Sequence, residues 1–296
     1  MPKGNSNRNF GIQILSDELL MGRTAAREVG KILRHYTKNR NTEVMTTFAA
    51  APSQNTFLRQ LVREKGVDWK KITAFHLDEY LDLPKGHPNT FQAYLKENIF
   101  DKIPIPQNNV HYIKNSEGTP KEISIEYERL LKKAFLKKQK TKGLYLAFIG
   151  VGVNGHIAFN EPGTDLWTEN WVTQVKINKI SVRQQFDDYK NHPNPSVRYK
   201  TLEEVPKNAI TMTCAGILAA DAIFCMVPGK QKASAVKKLV EGSISDRLPA
   251  SLLRLHENVN LYLDNDSASK LNYKLKPNLE KLQHSKNLHQ RGKYCY

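Results

Sequence analysis

The sequence predicts an α/β fold: a single domain with a Rossmann-like, mainly parallel sheet and helices on both faces. Three observations predict it. Apolar strand-like runs alternate with helix-period segments along the chain. The polar residues able to carry chemistry collect where those runs end, as ligand-binding residues do in open α/β sheets. No internal repeat and no Pro/Gly linker divides the chain.

Residues 16–38 open with a Ser-Asp start signal and carry apolar positions at intervals of three and four, an amphipathic helix. "EVMTTFAA" (43–50) reads as a buried strand, and "PSQNTFLRQLVREKG" after it as a helix begun by Pro-Ser. "KITAFHLDEY" (71–80) reads as a second strand that becomes acidic at its end. Residues 90–100 and 119–140 read as helices, the latter rich in lysine. "GLYLAFIG" (143–150) is a third strand and "AIFCMVPG" (222–229) a fourth. The helical "KQKASAVKKLVEG" follows, and "NVNLYLD" (258–264) is a fifth strand. Residues 163–205 read as irregular, with "NHPNPSVRYKTLEEVP" a surface loop and candidate lid. The expected organisation is an α/β domain over 1–270 and a basic C-terminal tail over 271–296.

Composition narrows the function classes. Aliphatic and aromatic residues make up 40% of the 296 residues, ample for a packed core. No apolar run approaches the roughly 18 residues of a membrane span, and the N-terminus lacks the pattern of a secretory signal. Cys214, Cys225 and Cys295 are spaced for neither a disulfide framework nor a metal site, so a cytoplasmic protein is expected. The net charge of +16 is spread over helix-like runs, without interleaved aromatics or a zinc-finger or RNP signature. That pattern fits a small anionic ligand rather than nucleic acid or a membrane surface.

Four strand exits hold the candidate residues. In "LYLAFIGVGVNGHIAFNEPG" (144–163) the glycines Gly150, Gly152 and Gly155 stand where backbone must turn sharply or approach a ligand. His156 is followed five residues later by Glu161, a carboxylate able to bond one ring nitrogen, fix the tautomer and free the other for proton transfer. A tight turn around a satisfied histidine is the structural alternative. "AFHLDEYLDLP" sets Asp78, Glu79 and Asp82 at a strand mouth, where partial burial would raise a carboxylate's pKa to that of a base. Helix capping is the alternative there, and His76 reads as a packed histidine. Lys230 and Lys232 begin a helix, a place suited to phosphate or simply to solvent. After the first strand, Ser53 and Gln54 offer donors at another helix start.

Taken together, "FHLDEYLDLP", "GVGVNGHIAFNEPG", "GKQKA" and "PASLLRLH" resemble the glucosamine-6-phosphate deaminase (isomerase) family, whose relatives include galactosamine-6-phosphate deaminases and 6-phosphogluconolactonases. The resemblance runs from about residue 15 to residue 270, and "GHIAFNEPG" favours the aminosugar branch over the lactonases. It implies aldose–ketose isomerisation and deamination of glucosamine 6-phosphate to fructose 6-phosphate and ammonia. It further implies that Asp78 moves a proton between C2 and C1, and that His156, assisted by Glu161, opens the ring. Lys232, Arg183 and Ser53 would hold the phosphate, and Gly152 and Gly155 would bring backbone close to the sugar. The reaction needs no metal and no organic cofactor. Partners would be a sugar phosphate and, in a homo-oligomer, further copies of the chain. Two departures bear on activity. Asn154, counted with Asp78, His156 and Glu161 among the catalytic residues, stands where glucosamine-6-phosphate deaminases usually have an aspartate supporting the histidine. It would orient the ring without stabilising an imidazolium by charge, and the galactosamine branch resembles this chain in carrying Asn-Gly-His. "AAAPSQNT" replaces a glycine-rich phosphate loop with alanines, which do not freely adopt positive φ. A galactosamine-6-phosphate deaminase, a non-catalytic sugar-phosphate-binding regulator and a 6-phosphogluconolactonase are the alternative readings.

Overall fold

The computed structural model describes residues 9–39, 41–115 and 117–272. Strand β1 (Asn9–Leu15) leads into helix α1 (Glu18–Lys38), which starts where the Asp17 carboxylate accepts the Leu20 N–H at 2.8 Å. Met21, Ala25, Ala26, Val29 and Leu33 form the buried stripe of that helix. There follow β2 (Val44–Phe48), α2 (Asn55–Leu61), β3 (Ile72–His76), β4 (Asp78–Tyr80), α3 (Phe91–Leu95) and β5 (Val110–His111). Helix α4 (Pro120–Lys140) begins with a capping box in which Thr119 and Glu122 each accept the other's backbone N–H. The chain continues through β6 (Leu144–Ile149), β7 (Val172–Lys176), α5 (Lys179–Tyr189), β8 (Asn208–Met212), α6 (Cys214–Leu218), β9 (Ala222–Val227), α7 (Ala233–Glu241) and β10 (Asn258–Asp264).

Seven strands form one sheet in the order β1-β10-β9-β6-β2-β3-β5, and every pairing in it is parallel. Its central strands are apolar on both faces because helices cover both. In β6, Leu144, Leu146 and Phe148 pack with α1, α2 and α3, while Tyr145, Ala147 and Ile149 pack with α4 and α7. From β2 the chain builds outward through β3 to β5, then returns to the other side of β2 and builds outward from β6. Strands β2 and β6 therefore flank the topological switch point, and a crevice is expected at their carboxyl ends.

The structure departs from the sequence expectations in three places. The run 71–80 is two strands: at Leu77 the chain leaves the large sheet, and β4 pairs antiparallel with β8 in a second sheet of order β4-β8-β7. Leu77 joins the sheets, its N–H donating to Phe48 O and its carbonyl accepting Met212 N–H. Residues 163–205 are not irregular throughout, since they contain β7 and α5. Strand β1, paired with β10 along its whole length, precedes the first expected strand. The basic tail of 271–296 falls, from residue 273 on, outside the described residues, and Leu271 is buried against the core. Among the described residues no helix is long and apolar enough to cross a membrane.

Candidate active site

At the carboxyl ends of β2 and β6 lies an open cleft. Ser53, Asp78, Gly152, His156, Gln185 and Lys232 are among its lining residues. Four expected strand exits thus meet. Gln54 ties two of them together, its amide donating to Ser53 Oγ at 3.2 Å and to the carbonyl of Ile149 at 3.3 Å. The loop after β2 manages with alanines because none of residues 49–55 has a positive φ.

His156 is nearly buried, and its hydrogen bonds determine its tautomer. The Asn154 side-chain NH2 donates to Glu161 Oε2 at 2.8 Å; a carboxylate only accepts, so the amide oxygen must face the ring. That oxygen lies 2.7 Å from His156 Nδ1, which therefore carries the proton. Ser181 Oγ, fully buried on α5, adds a second contact to Nδ1 at 3.0 Å. Nε2 is left as the acceptor. Burial first, then the charge of Lys232, depresses the His156 pKa to about 3, so the ring is neutral at physiological pH. Glu161 does not bond the imidazole directly as the sequence suggested. Its Oε2 is 3.7 Å from Nδ1, Asn154 stands between them, and Oε1 is buried without a hydrogen-bond partner among the described residues.

Gly152 is required by this histidine. A Cβ there would fall 2.0 Å from His156 Cε1 and 2.3 Å from Nδ1. Gly152→Ala is expected to displace the ring, costing about 1–3 kcal/mol of stability and most of the activity, which denaturant unfolding and steady-state kinetics would measure. Gly155 has φ +86°, and a Cβ there would strike Leu248. Ala158, lining the cleft, is held at φ 49°, a local strain of the kind found at functional sites. Asn160 has a structural role, its amide donating to the carbonyls of Ile157 and Met212.

The side chains of Asp78 and Glu79 serve different ends. Glu79 is 1% exposed and caps the start of α3, accepting N–H bonds from Phe91 and Gln92, with Tyr80 N–H as a third donor, all at 2.9 Å. Burial pushes its pKa up to about 7 against these three donors. Asp78 lines the cleft instead, and its carboxyl makes no hydrogen bond within the described residues. Burial, and then the charge of Glu79, raises its pKa well above the ordinary carboxylate range. Asp82 is structural: it accepts the N–H groups of Lys207 and Asn208.

Lys232 is 6% exposed and lines the cleft at the start of α7; burial lowers its pKa to about 8, with Asp188 opposing. Arg183 does not join it. Its guanidinium is paired with Asp187 at 3.0 Å on the exposed side of α5. The inner face of α5 presents Ser181, Gln184, Gln185 and Asp188, at helical spacings of three and four. Sequence reading missed these four, although the polar stripe was visible once the segment was taken as a helix.

Comparisons with known proteins agree with this architecture. The family model described as glucosamine-6-phosphate isomerases/6-phosphogluconolactonase matches residues 21–262. A glucosamine-6-phosphate deaminase of Thermoanaerobacter sp. (strain X514) is 31% identical over 212 residues, 72% of this chain and 76% of the relative. One of Clostridium perfringens (strain SM101 / Type A) is 30% identical over 254 residues, 85% and 95%. Among solved structures, a monomeric glucosamine-6-phosphate deaminase superposes with a TM-score of 0.75 at 27% identity, covering 88% of this chain and 99% of that one. The 6-phosphogluconolactonase of Thermotoga maritima shares the fold, with a TM-score of 0.62 at 19% identity over 86% of this chain and 99% of that one.

Proposed function

The chain belongs to the glucosamine-6-phosphate isomerase/6-phosphogluconolactonase family, and from that premise and the cleft geometry we propose that it isomerises and deaminates an aminosugar 6-phosphate. Glucosamine 6-phosphate is the first candidate, giving fructose 6-phosphate and ammonia. The observation that carries the proposal is Asp78, a buried carboxylate with no hydrogen-bond partner among the described residues, facing the same cleft as a histidine whose Nε2 is free to accept a proton.

Each step uses a group already positioned. His156 Nε2 takes the proton of the C1 hydroxyl and returns it to the ring oxygen, opening the pyranose to the aldehyde. Asp78 removes the C2 hydrogen; the electron pair forms the C1–C2 double bond of an enolamine as O1 takes a proton from the substrate's own C2 ammonium. Asp78 then returns its proton to C1, leaving a C2 imine. Water adds at C2 and ammonia departs, so the sugar exchanges NH for O. A carboxylate of raised pKa suits this transfer because its proton affinity approaches that of the carbon acid's conjugate base. Lys232 and Ser53 hold the phosphate at the far end. A sensor of sugar phosphates would need Lys232 but not an unpaired carboxylate in an apolar wall.

Parallel assays of ammonia release from glucosamine 6-phosphate and galactosamine 6-phosphate test this reading. Stoichiometric ammonia and ketose phosphate from either sugar is the expected result, and the faster one identifies the epimer, which Asn154 leaves open. Binding of both sugars with release from neither would replace the enzyme by a sugar-phosphate sensor.

A further inference from the structure

Beyond Lys232 the cleft continues into a second cavity of ≈ 490 Å³, lined by Glu18, Ser53, Gln184, Asp188, Gln231 and Lys232 among others. The Lys232 side chain is nine-tenths buried, belongs to both cavities, and makes no hydrogen bond within the described residues. It is a cation awaiting an anion. Its surroundings are nevertheless acidic, with Glu18 from the first turn of α1 and Asp188 from the last turn of α5 sharing the cavity. A phosphate monoester carries between about −1.5 and −2 charges at pH 7. Two ionised carboxylates beside it would repel it.

The surrounding groups hold the pKa of both acids above its ordinary value, so less is needed to protonate them. Glu18 is held above its ordinary pKa by burial and by the charge of Asp264, with Arg59 and a hydrogen bond from Thr56 opposing. Asp188, exposed on α5 yet lining the cavity, is raised by partial desolvation, with Lys232 and Gln184 opposing and Asp187 adding to the rise. Gln184 Nε2 lies 3.4 Å from its Oδ2. Asp264 is occupied as an acceptor, bonded by the N–H groups of Gly229 at 2.9 Å and Ser267 at 2.7 Å.

Building on the aminosugar-phosphate function above, we propose that Glu18 and Asp188 meet the substrate's phosphate as neutral carboxyls, so that the phosphate binds together with a proton taken from solvent. A neutral carboxyl donates its O–H to a phosphate oxygen, and the group that repelled the anion now holds it. The sign follows from linkage. The dianion raises the proton affinity of both acids, so the complex carries more protons than the free protein. Affinity then falls by about tenfold per pH unit for each proton taken up. Replacing a cationic phosphate clamp by one lysine and two acids makes phosphate recognition stronger in acid than in base.

The test is calorimetry at pH 7 in buffers of different ionisation heat. The ligand is 2-amino-2-deoxyglucitol 6-phosphate, which has no C1 carbonyl and binds without reacting; the same alcohol without phosphate is the control. The parent protein is expected to take up about one proton more per phosphorylated ligand than Glu18→Gln/Asp188→Asn, and none more with the control. Asp78, His156, Lys232 and the ligand's own phosphate are present in both proteins, so the difference reports the two acids. Glu18→Gln alone, which leaves Asp188 and Lys232 in place, should lose part of the uptake. Both residues lie outside the packed core, and thermal melts confirm that the variants fold. Equal uptake in parent and double variant, or no binding of the phosphorylated ligand by the parent, overturns the proposal. Ammonia release by the same preparations separates it from the enzymatic reading. Ammonia with equal uptake overturns the proton linkage alone, whereas linked uptake without ammonia from any aminosugar phosphate supports it and removes the deaminase.

Discussion

Asp78→Asn should lose turnover by at least the 10²–10⁴-fold typical of a removed general base, while the protein still folds, still binds the sugar phosphate and melts higher than the parent at neutral pH. The two effects have one cause. Asp78 sits in the cleft wall with no donor to its carboxyl, and burial plus the Glu79 charge raise its pKa well above the ordinary range. The unfolded chain has no such penalty. Below the ordinary carboxylate pKa the group is protonated in both states and costs nothing; as pH rises from that value toward the folded one, the unfolded chain ionises freely while the native state keeps its proton, and stability is lost. Asparagine has nothing to ionise. The variant's advantage in melting temperature should therefore open above about pH 4, widen until the native carboxyl has titrated, and close again in acid. Activity and melting curves on one preparation decide the matter. An Asp78→Asn protein that turns over normally would remove Asp78 from the chemistry, and one that melts lower at pH 8 would show the carboxylate to be paired in the folded state.

How much of this was legible beforehand follows the physics of each element. Strands β6 and β9 announce themselves because burial on both sheet faces demands an unbroken apolar run, and β2 and β10 nearly so, broken by Thr46, Thr47 and Asn260. Strands β7 and β8 do not, since the small antiparallel sheet tolerates polar residues such as Gln174 and Lys176 along β7. The break at Leu77 leaves no local mark: Leu77 is as apolar as its neighbours, and only the partner strands show that the chain changes sheets there. Within the site, Asp78, His156 and Lys232 stood out as charged or ionisable residues following strands, and each lines the cleft. Arg183 was chosen for its charge, but helix phase decides orientation. With Ser181 and Gln185 on the inner face, Arg183 is turned toward Asp187 and solvent. The bridging role of Asn154 was beyond sequence reading because it depends on a 2.8 Å contact to Glu161 that no spacing specifies.

That bridge gives the second large effect. Asn154→Leu removes both the donor to Glu161 and the acceptor that holds the proton on His156 Nδ1. Ser181 remains within 3.0 Å of Nδ1, but a hydroxyl both donates and accepts and does not enforce one tautomer. Turnover should fall by about 10²–10⁴-fold, the scale on which a catalytic histidine depends on its tautomer. Stability should fall by about 1–3 kcal/mol as Glu161, already lacking a partner at Oε1, loses its other bond. Asn154→Asp separates charge from tautomer. An aspartate there still accepts from Nδ1, but it faces Glu161 without a donor between them, so the two carboxyls must share a proton. The remaining negative charge beside the ring should lift the His156 pKa from about 3 toward its ordinary value. The neutral ring is the base, so the acid limb of kcat/KM should move to higher pH while activity at pH 8 stays far above that of Asn154→Leu. Titration of labelled histidine by NMR against the kinetic profile checks both. If Asn154→Leu retains full turnover, the ring is held by Ser181 alone; if Asn154→Asp leaves the acid limb in place, His156 is not the group whose protonation stops the reaction.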